Sequence, residues 1–447
     1  MMFCRRLLSK NKNNVIMLAA APKRNKAFLA LAASFFTIVL VFISTPRESL
    51  IDTQPSLQFM RVKVILNGED EVVVQEWKRA RKDYLKNLTK LGEILFLDAP
   101  EPKIPSNSRQ KYQILIWKYG RTIENRHIKN FSGQKLNPFE HCSVNNCEIT
   151  YEDAALETAD LVIFHLHRLK GLQDLPKRRN YTQIWTFLTD ESPHHTFLNS
   201  KDKLKLFNNQ FNWSMTYRSD SDIPVPYGRT IMKPNPDREI ETVFQDKRRD
   251  VLVAILGSNC GGNNHRWDYV RELQKYIDVD IYGACGQNLK QKCPGHFGND
   301  CDAISNYLFY LAFENSNCNE YITEKLWWNA YHKNSIPIVM GSSPQTYKTL
   351  LPPGSYINVD DFAKPETLAD YLSSLNKTES FKEYYRWKSH FAVLNEHGYF
   401  QSKSYHYCRV CQALNYNTKQ TKVYEDLEKF WSVQGDCHEP WNAPFED

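Results

Sequence analysis

The sequence predicts an α/β protein built from two parallel-sheet halves, and three of its features carry that expectation. Short apolar runs bounded by polar segments recur from residue 113 onward, and such runs suit strands buried on both faces, as in a parallel sheet. After residue 250 these runs alternate with helical patterns, the order that right-handed crossovers and a sheet covered on both faces require. Between the two series lies the charged segment KPNPDREIETVFQDKRRD, residues 233–250, which reads as an interdomain linker.

In the first half the expected strands are QILIW (113–117), LVIFHL (161–166), YTQIWTFL (181–188) and WSMTYR (213–218). In the second, DVLVAILG (250–257) precedes a helix RWDYVRELQKY (266–276), and VDIYG (279–283) follows. LFYLAFEN (308–315) leads into a helix YITEKLWWNAYHKN (321–334). IPIVMG (336–341), YINVDDF (356–362) and the helical PETLADYLSSLN (365–376) complete the series.

The N-terminal part reads differently. AFLALAASFFTIVLVFIST, residues 27–45, carries no charge, and a helix of that length just crosses a hydrocarbon layer of roughly 30 Å. Arg5, Arg6, Lys10, Lys12, Lys23, Arg24 and Lys26 precede it without an acidic residue. The positive-inside bias then makes 1–26 a cytoplasmic tail, 27–45 a transmembrane signal-anchor, and the remainder lumenal. A cleaved signal peptide is the alternative, although its apolar core is usually shorter and nearer the first residue. Sequons at Asn87, Asn130, Asn180, Asn212 and Asn376 fall beyond the anchor, as do ten of the eleven cysteines, an even number suited to an oxidising compartment. Residues 46–108, with scattered prolines and one charged, helix-like piece, read as a stem. The body then divides into 109–235, 246–415 and a C-terminal extension, 416–447. A net charge of +6 spread through a chain that is 24% charged gives no basic stripe for nucleic acid.

The most informative stretch is FENSNCNEYITEKLWWNAYHKNSIPIVMG, Phe313 to Gly341. In an open parallel sheet ligands bind beyond the C-terminal ends of strands, and Glu314 and Asn315 fall at such an end. Asn319 is the expected N-cap of the next helix. Ile322, Leu326 and Ala330, with Trp327 and Tyr331, form one apolar stripe, leaving Glu324 and Lys325 off it and near the strand ends. Helix-start N–H groups with a lysine beside them attract anions, and a diphosphate fits. The carboxylate and amide groups nearby suit ribose or sugar hydroxyls, so the mixture matches a nucleotide-sugar. A capped, solvated helix end with an ordinary charge pair is the other reading.

That stretch closely resembles the signature of the α1,3-fucosyltransferases, glycosyltransferase family 10, which runs F-E-N-S, then D-Y-I-T-E-K-L-W, then V-P-V-V-x-G. The resemblance continues through ADLVIFHLH (159–167), WTFLTDESPHH (185–195), FNWSMTYRSDSDIPVPYG (211–228), VDIYGACG (279–286), INVDDF (357–362), YYRWK (384–388) and CRVCQAL (408–414). It implies a Golgi type II membrane enzyme of the GT-B architecture: two Rossmann-like domains facing a cleft, the first holding the acceptor glycan and the second GDP-fucose. Carried over by position, it gives Lys325 and Arg266 the diphosphate, gives Glu324, Asn315 and Tyr321 contacts to ribose, base or fucose, and makes Glu191 the catalytic base. Three positions depart from the pattern. Leu308 stands where many members have a basic residue, Asn319-Glu320 alters the signature around its Asp, and Asn334 replaces a common Gly.

Going from GDP-β-L-fucose to an α-fucoside inverts the anomeric carbon, so a single displacement with one general base suffices. A positioned carboxylate in that role contributes typically ~10²–10⁴-fold. Glu191, ending an expected strand, is the candidate; His194 and His195 are the nearest alternatives, and capping the turn ahead of Pro193 is the structural one. Asp278-Val279-Asp280 and Asp220-Ser221-Asp222 show the D-x-D spacing by which other glycosyltransferases hold Mn²⁺. Both lie in family segments without a metal role, so the expectation is no protein-held metal, with room for Mn²⁺ to stimulate through the diphosphate. Cys142 with Cys147 and Cys408 with Cys411 are close enough to pair locally. Zinc around Cys285, Cys293, Cys301 and Cys318, or a redox or zinc pair at Cys408-x-x-Cys411, is the alternative to disulfides. His165 and His167 alternate along a strand, so at most one faces the cleft. The expected reaction is fucose transfer to O3 of a GlcNAc on a glycoprotein glycan, in the N-glycan core or a LacNAc or LacdiNAc antenna. The rivals are an inactive membrane-anchored glycan-binding protein and a metal-dependent transferase using another nucleotide-sugar.

Overall fold

The computed structural model describes residues 60–63, 68–103, 111–129, 131, 133–197, 204–242, 246–287, 293, 299–418 and 422–439. The expected anchor at 27–45 and the sequon at Asn130 lie outside the described residues. Among those described, no helix is long and apolar enough to cross a membrane.

The chain enters through β1 (Met60–Lys63), α1 (Gly68–Tyr84) and α2 (Lys90–Leu97). It then builds a first lobe from β2 (Tyr112–Ile116), α3 (Gly120–His127), β3 (Cys147–Thr150), β4 (Leu161–His165), β5 (Ile184–Thr189), β6 (Trp213–Thr216) and β7 (Ile223–Pro224). These strands form one sheet, ordered β3-β2-β4-β5-β6-β7, parallel throughout. After β8 (Gly228–Met232) and β9 (Glu239–Thr242) comes the second lobe: β10 (Val253–Leu256), α4 (Arg266–Leu273), β11 (Val279–Tyr282), β12 (Phe309–Phe313), α5 (Glu324–Leu326), β13 (Ile336–Met340), α6 (Pro344–Leu350), β14 (Ile357–Asn358) and α7 (Pro365–Thr378). Its sheet runs β11-β10-β12-β13-β14, again all parallel. The central strands explain why: LVIFH and FYLAF are buried at every position, and each fully buried large apolar side chain stabilises the fold by roughly 1.5–3 kcal/mol. Each expected strand and helix has a counterpart, although the strand expected at 356–362 shortens to Ile357–Asn358 ahead of a 3₁₀ turn, Val359–Asp361, and two parallel sheets are the arrangement the resemblance implied.

Three segments fold differently from expectation. The supposed stem supplies α1 and α2, which pack into the body. Trp77 is 3% exposed and donates its indole N–H to the Leu351 carbonyl at 2.9 Å. Leu91, Leu95 and Phe96 join the first-lobe core, and Thr89 caps α2 by accepting from Gly92 N. The apolar residues of this segment outweigh its charge once both lobes are present to receive them. The linker is likewise pinned: β9 pairs antiparallel with β1, and Lys233 N and Asp237 N donate to the carbonyls of His390 and Ser389.

The third difference is a return crossing. After α7 the chain forms β15 (Phe391–Asn395), antiparallel to β8, and then α8 (His406–Tyr416). Tyr407, Val410, Ala413 and Leu414 of α8 sit in the first-lobe core with Ile114 and Leu161. The disulfides follow this crossing: Cys142–Cys408 and Cys147–Cys411, with Cys260–Cys285, Cys293–Cys301 and Cys318–Cys437 besides. The local pairs expected from spacing, Cys142 with Cys147 and Cys408 with Cys411, do not form. Cysteines three apart on a helix share one face, so both α8 sulfurs present themselves to the first-lobe edge that carries Cys142 and Cys147. The cysteines considered for zinc are bonded within these pairs.

Candidate active site

The two sheets place the C-terminal ends of β5 and β12 toward one cavity of about 470 Å³. Glu191, Arg266, Asn315, Tyr321, Glu324 and Lys325, six residues scattered over 135 positions of sequence, all line it. So does His195, whereas His194 turns its Nδ1 to Asn263 Nδ2 at 2.9 Å.

On the second-lobe rim, β12 ends at Phe313 and delivers Glu314, 1% exposed, behind the cavity wall. Gly341 permits this: a Cβ there would lie 2.7 Å from the Glu314 Cβ. The Glu314 carboxylate accepts from Thr323 N at 2.7 Å, Thr323 Oγ1 at 2.9 Å and Lys325 Nζ at 3.0 Å. Lys325 also donates to Thr323 Oγ1 at 2.8 Å and lies 3.5 Å from Glu324 Oε1. Burial works against its ammonium, but Glu314 and Glu324 outweigh burial and hold Lys325 above the usual lysine range. Arg266 directs Nε, Nη1 and Nη2 at the carbonyls of Gly261, Phe313 and Asn259. It thus binds the β10–α4 loop to the end of β12, and a guanidinium carries five N–H donors, so donors remain beyond those three bonds.

The helix after the signature starts later than expected. Its N-cap is Thr323, not Asn319, whose N–H instead reaches the Asp436 carbonyl. The residues between are held by the Cys318–Cys437 disulfide and by Glu320, which adopts φ 58° and accepts from Ser219 N and Oγ at 2.6 and 2.8 Å. After Leu326 the helix widens into a π-turn, Trp327–His332, a feature frequent at functional sites. The expected apolar stripe holds: Ile322, Leu326, Trp327, Ala330 and Tyr331 are all buried.

On the first-lobe rim, Glu191 lies two residues beyond the end of β5. Its carboxylate accepts from the Tyr321 hydroxyl at 3.1 Å, across the cleft, rather than capping the following turn. Ser192 and Ser316 make a second crossing at 2.7 Å. Burial raises the Glu191 pKa most, Asp190 raises it further, and His167, Lys325 and Arg126 pull it down. Of the alternating histidines, His167 lines the cavity while His165 packs behind it, 3.7 Å from Asp190.

Several predicted or suspected features lie elsewhere. Leu308 is fully buried in the second-lobe core and does not line the cavity. Asn334 has φ 54°, a left-handed conformation that Gly or Asn tolerates best. Neither D-x-D pair lines the cavity. Asp280 is held by Arg248 and Tyr307, Asp220 by Arg218, and Asp222 by Ser214, Lys422 and Tyr424. Conversely, sequence reasoning passed over Tyr227, Asn329, Tyr399 and Phe400, which line the cavity. Phe400 and Gln401 have φ of 52° and 65°, and such strain in residues other than glycine clusters at functional sites. Gly398 just before them was the one visible hint.

Residues 102–228 match "Fucosyltransferase, N-terminal", and residues 246–431 match "Glycosyltransferase family 10 (fucosyltransferase) C-term". Glycoprotein 3-alpha-L-fucosyltransferase A of Drosophila melanogaster is 37% identical over 305 residues, 66% of this chain and 56% of that protein, so the match reaches little more than half of the relative's length. Alpha-(1,3)-fucosyltransferase 7 of Bos taurus is 34% identical over 65% of this chain and 79% of its own. A crystal structure of an alpha1,3-fucosyltransferase with GDP-fucose aligns over 76% of this chain and 98% of its own, at 17% identity and a TM-score of 0.44. The chain belongs to glycosyltransferase family 10, the fucosyltransferases.

Proposed function

We propose that the protein is an inverting α1,3-fucosyltransferase, moving L-fucose from GDP-β-L-fucose to O3 of a GlcNAc residue in a glycoprotein glycan. One observation carries the reading: a half-buried carboxylate from the first lobe, Glu191, and a half-buried ammonium from the second, Lys325, line the same cavity. The acceptor hydroxyl enters from the first-lobe side and attacks the anomeric carbon opposite the GDP. Glu191 takes the hydroxyl proton as the new C–O bond forms. Its raised pKa makes it the better acceptor for that proton. The C–O bond to GDP breaks in the same displacement, and negative charge grows on the diphosphate. Lys325 and the remaining donors of Arg266 neutralise that charge, each charge-assisted hydrogen bond being worth about 1.5–3 kcal/mol. Asn315, Tyr321 and Glu324 hold the ribose, base or fucose hydroxyls.

The name of the Drosophila relative favours a glycoprotein acceptor; the GlcNAc is that of the N-glycan core or of a LacNAc or LacdiNAc antenna. In this reading the reaction needs no protein-held metal, which the engagement of Asp280, Asp220 and Asp222 in contacts away from the cavity supports, and Mn²⁺ acts at most through the diphosphate. In this reading the enzyme is a single-pass type II protein of the Golgi membrane with its body in the lumen; the charge asymmetry around residues 27–45 supports that orientation, and the family resemblance supports the Golgi.

The test is to incubate the body, residues 46 onward, with labelled GDP-fucose and a panel of defined glycans, with and without EDTA. Transfer to GlcNAc O3 that survives EDTA is expected. Absence of transfer to every GlcNAc-bearing glycan, with GDP-fucose bound, overturns the reading.

A further inference from the structure

Behind the first-lobe rim lies a group of charged and aromatic side chains to which the displacement assigns no work. At its centre is Asp190, the residue before Glu191, 5% exposed and absent from the cavity lining. Its carboxylate accepts from Arg126 Nη1 at 2.5 Å and lies 3.2 Å from His397 Nε2 and 3.7 Å from His165 Nε2. Its backbone carbonyl accepts from the Tyr227 hydroxyl at 2.7 Å. These partners come from four separate pieces of chain: α3, β4, the turn before β8 and the segment after β15. Their rings complete the group. His397 stacks on Tyr227 with centroids 3.9 Å apart, and the Arg126 guanidinium lies 4.8 Å over Tyr399. Tyr227 and Tyr399 also line the cavity, so the group joins the wall of the site to the peptide that bears Glu191.

A buried ion pair is weak as a source of stability, since well-packed apolar residues of similar volume often do as well or better. Its place beside the reacting carboxylate points to another role. We propose that Asp190 is a positioning residue for Glu191, a buried anion clamped from four directions that fixes the end of β5 so that the Glu191 side chain enters the cavity facing the acceptor hydroxyl. The inference rests on Glu191 being the base.

The charge of Asp190 acts in the same sense. Glu191 is faced by Asp190 just before it, His167 after β4, Arg126 on α3, His195 on the following turn, and the hydroxyls of Tyr217, Tyr227 and Tyr399. From the second lobe it is faced by Tyr321 and Lys325. After burial, Asp190 is the main influence raising Glu191, and the cations oppose it. Burial disfavours the Asp190 anion, but Arg126, His165 and His397 hold it well below the usual carboxylate range, so it stays ionised wherever the enzyme works. Removing that charge lowers the Glu191 pKa.

The experiment is Asp190→Asn, assayed across pH with labelled GDP-fucose and the best acceptor of the panel. The expected result is turnover reduced about tenfold or more, KM for GDP-fucose within about twofold of wild type, and the acidic limb of kcat/KM displaced by roughly half to one pH unit downward. A merely structural residue would not move that limb. Because Asn removes the Asp190 carboxylate from the half-buried Arg126 guanidinium, the double variant Arg126→Gln/Asp190→Asn, checked for GDP binding by calorimetry, is the second arm. Wild-type turnover and an unmoved limb in Asp190→Asn, or wild-type turnover in a GDP-binding double variant, overturns the proposal. Glu191→Gln separates the two readings: if it keeps turnover, the base assignment itself fails, and if it is inactive while Asp190→Asn is normal, only the positioning role fails.

Discussion

The two rims of the cavity each set a glutamate just beyond the end of a central strand, Glu314 buried and Glu191 half-buried, and the difference between them separates a structural carboxylate from a reactive one. Glu314 receives three donors, from the Thr323 backbone, the Thr323 hydroxyl and Lys325. Among the described residues Glu191 receives the Tyr321 hydroxyl alone. Burial raises the pKa of both, but the filled lone pairs of Glu314 leave it as a counter-ion that orients Lys325, while Glu191 keeps accepting capacity toward the cavity. Residue type and strand-end position are thus shared, and hydrogen-bond supply together with access to the cavity decides the role.

The largest effect that can break this contrast is at Glu191. Glu191→Gln is expected to cut turnover by roughly 10²–10⁴-fold with GDP affinity, measured by calorimetry, essentially unchanged; near-normal initial rates would remove it as base. Lys325→Met comes next. It strips the second rim of its ammonium and is expected to weaken GDP binding by about 10–100-fold, the equivalent of roughly 1.5–3 kcal/mol, with turnover falling as well. GDP affinity equal to wild type would show that the charge is not used on the diphosphate.

A smaller effect tests how the rims are joined. Burial raises Glu320 to about 7, above its ordinary value, so its contribution to stability is complete below about pH 4.5 and is lost as pH rises through about 7. Glu320→Gln does not titrate. Its melting temperature relative to wild type should therefore climb between pH 5 and pH 8, by an amount corresponding to roughly 1–3 kcal/mol; a difference independent of pH would mean that Glu320 is ionised throughout. The smallest effect is at Asn334→Gly, where the left-handed backbone already suits either residue. Denaturation midpoints are expected to agree within about 1 kcal/mol, and a larger loss would mean that the Asn334 side chain, which accepts from Lys388, is doing more than fit the turn.

Much of this was legible along the chain. The strands at 112–116, 161–165, 184–189, 309–313 and 336–340 were readable as unbroken apolar runs, because a strand buried on both faces writes its environment into consecutive residues. Glu324 and Lys325 were readable because the apolar stripe of their helix left them off the buried side. The stem was misread because α1 shows a charged surface and hides its anchoring in Trp77 and Arg81, whose guanidinium lies 4.2 Å over the indole ring. Tyr399 and Phe400 were missed because they follow a left-handed turn, where no periodicity marks a wall of the site.

The sequence alone determined the two parallel sheets and placed Asn315, Glu324 and Lys325 near strand ends, since burial period and strand-end position are local properties that neighbouring residues express; the family, and with it Arg266, Tyr321 and Glu191, came from the resemblance of its motifs. Tertiary structure alone decided that α8 returns to the first lobe to pair Cys408 with Cys142 and Cys411 with Cys147, and that Arg126, His165, Tyr227 and His397 converge on Asp190. Those contacts join residues as much as 266 positions apart, and which distant segments meet is fixed by the packing of whole elements, something no single stretch of sequence contains.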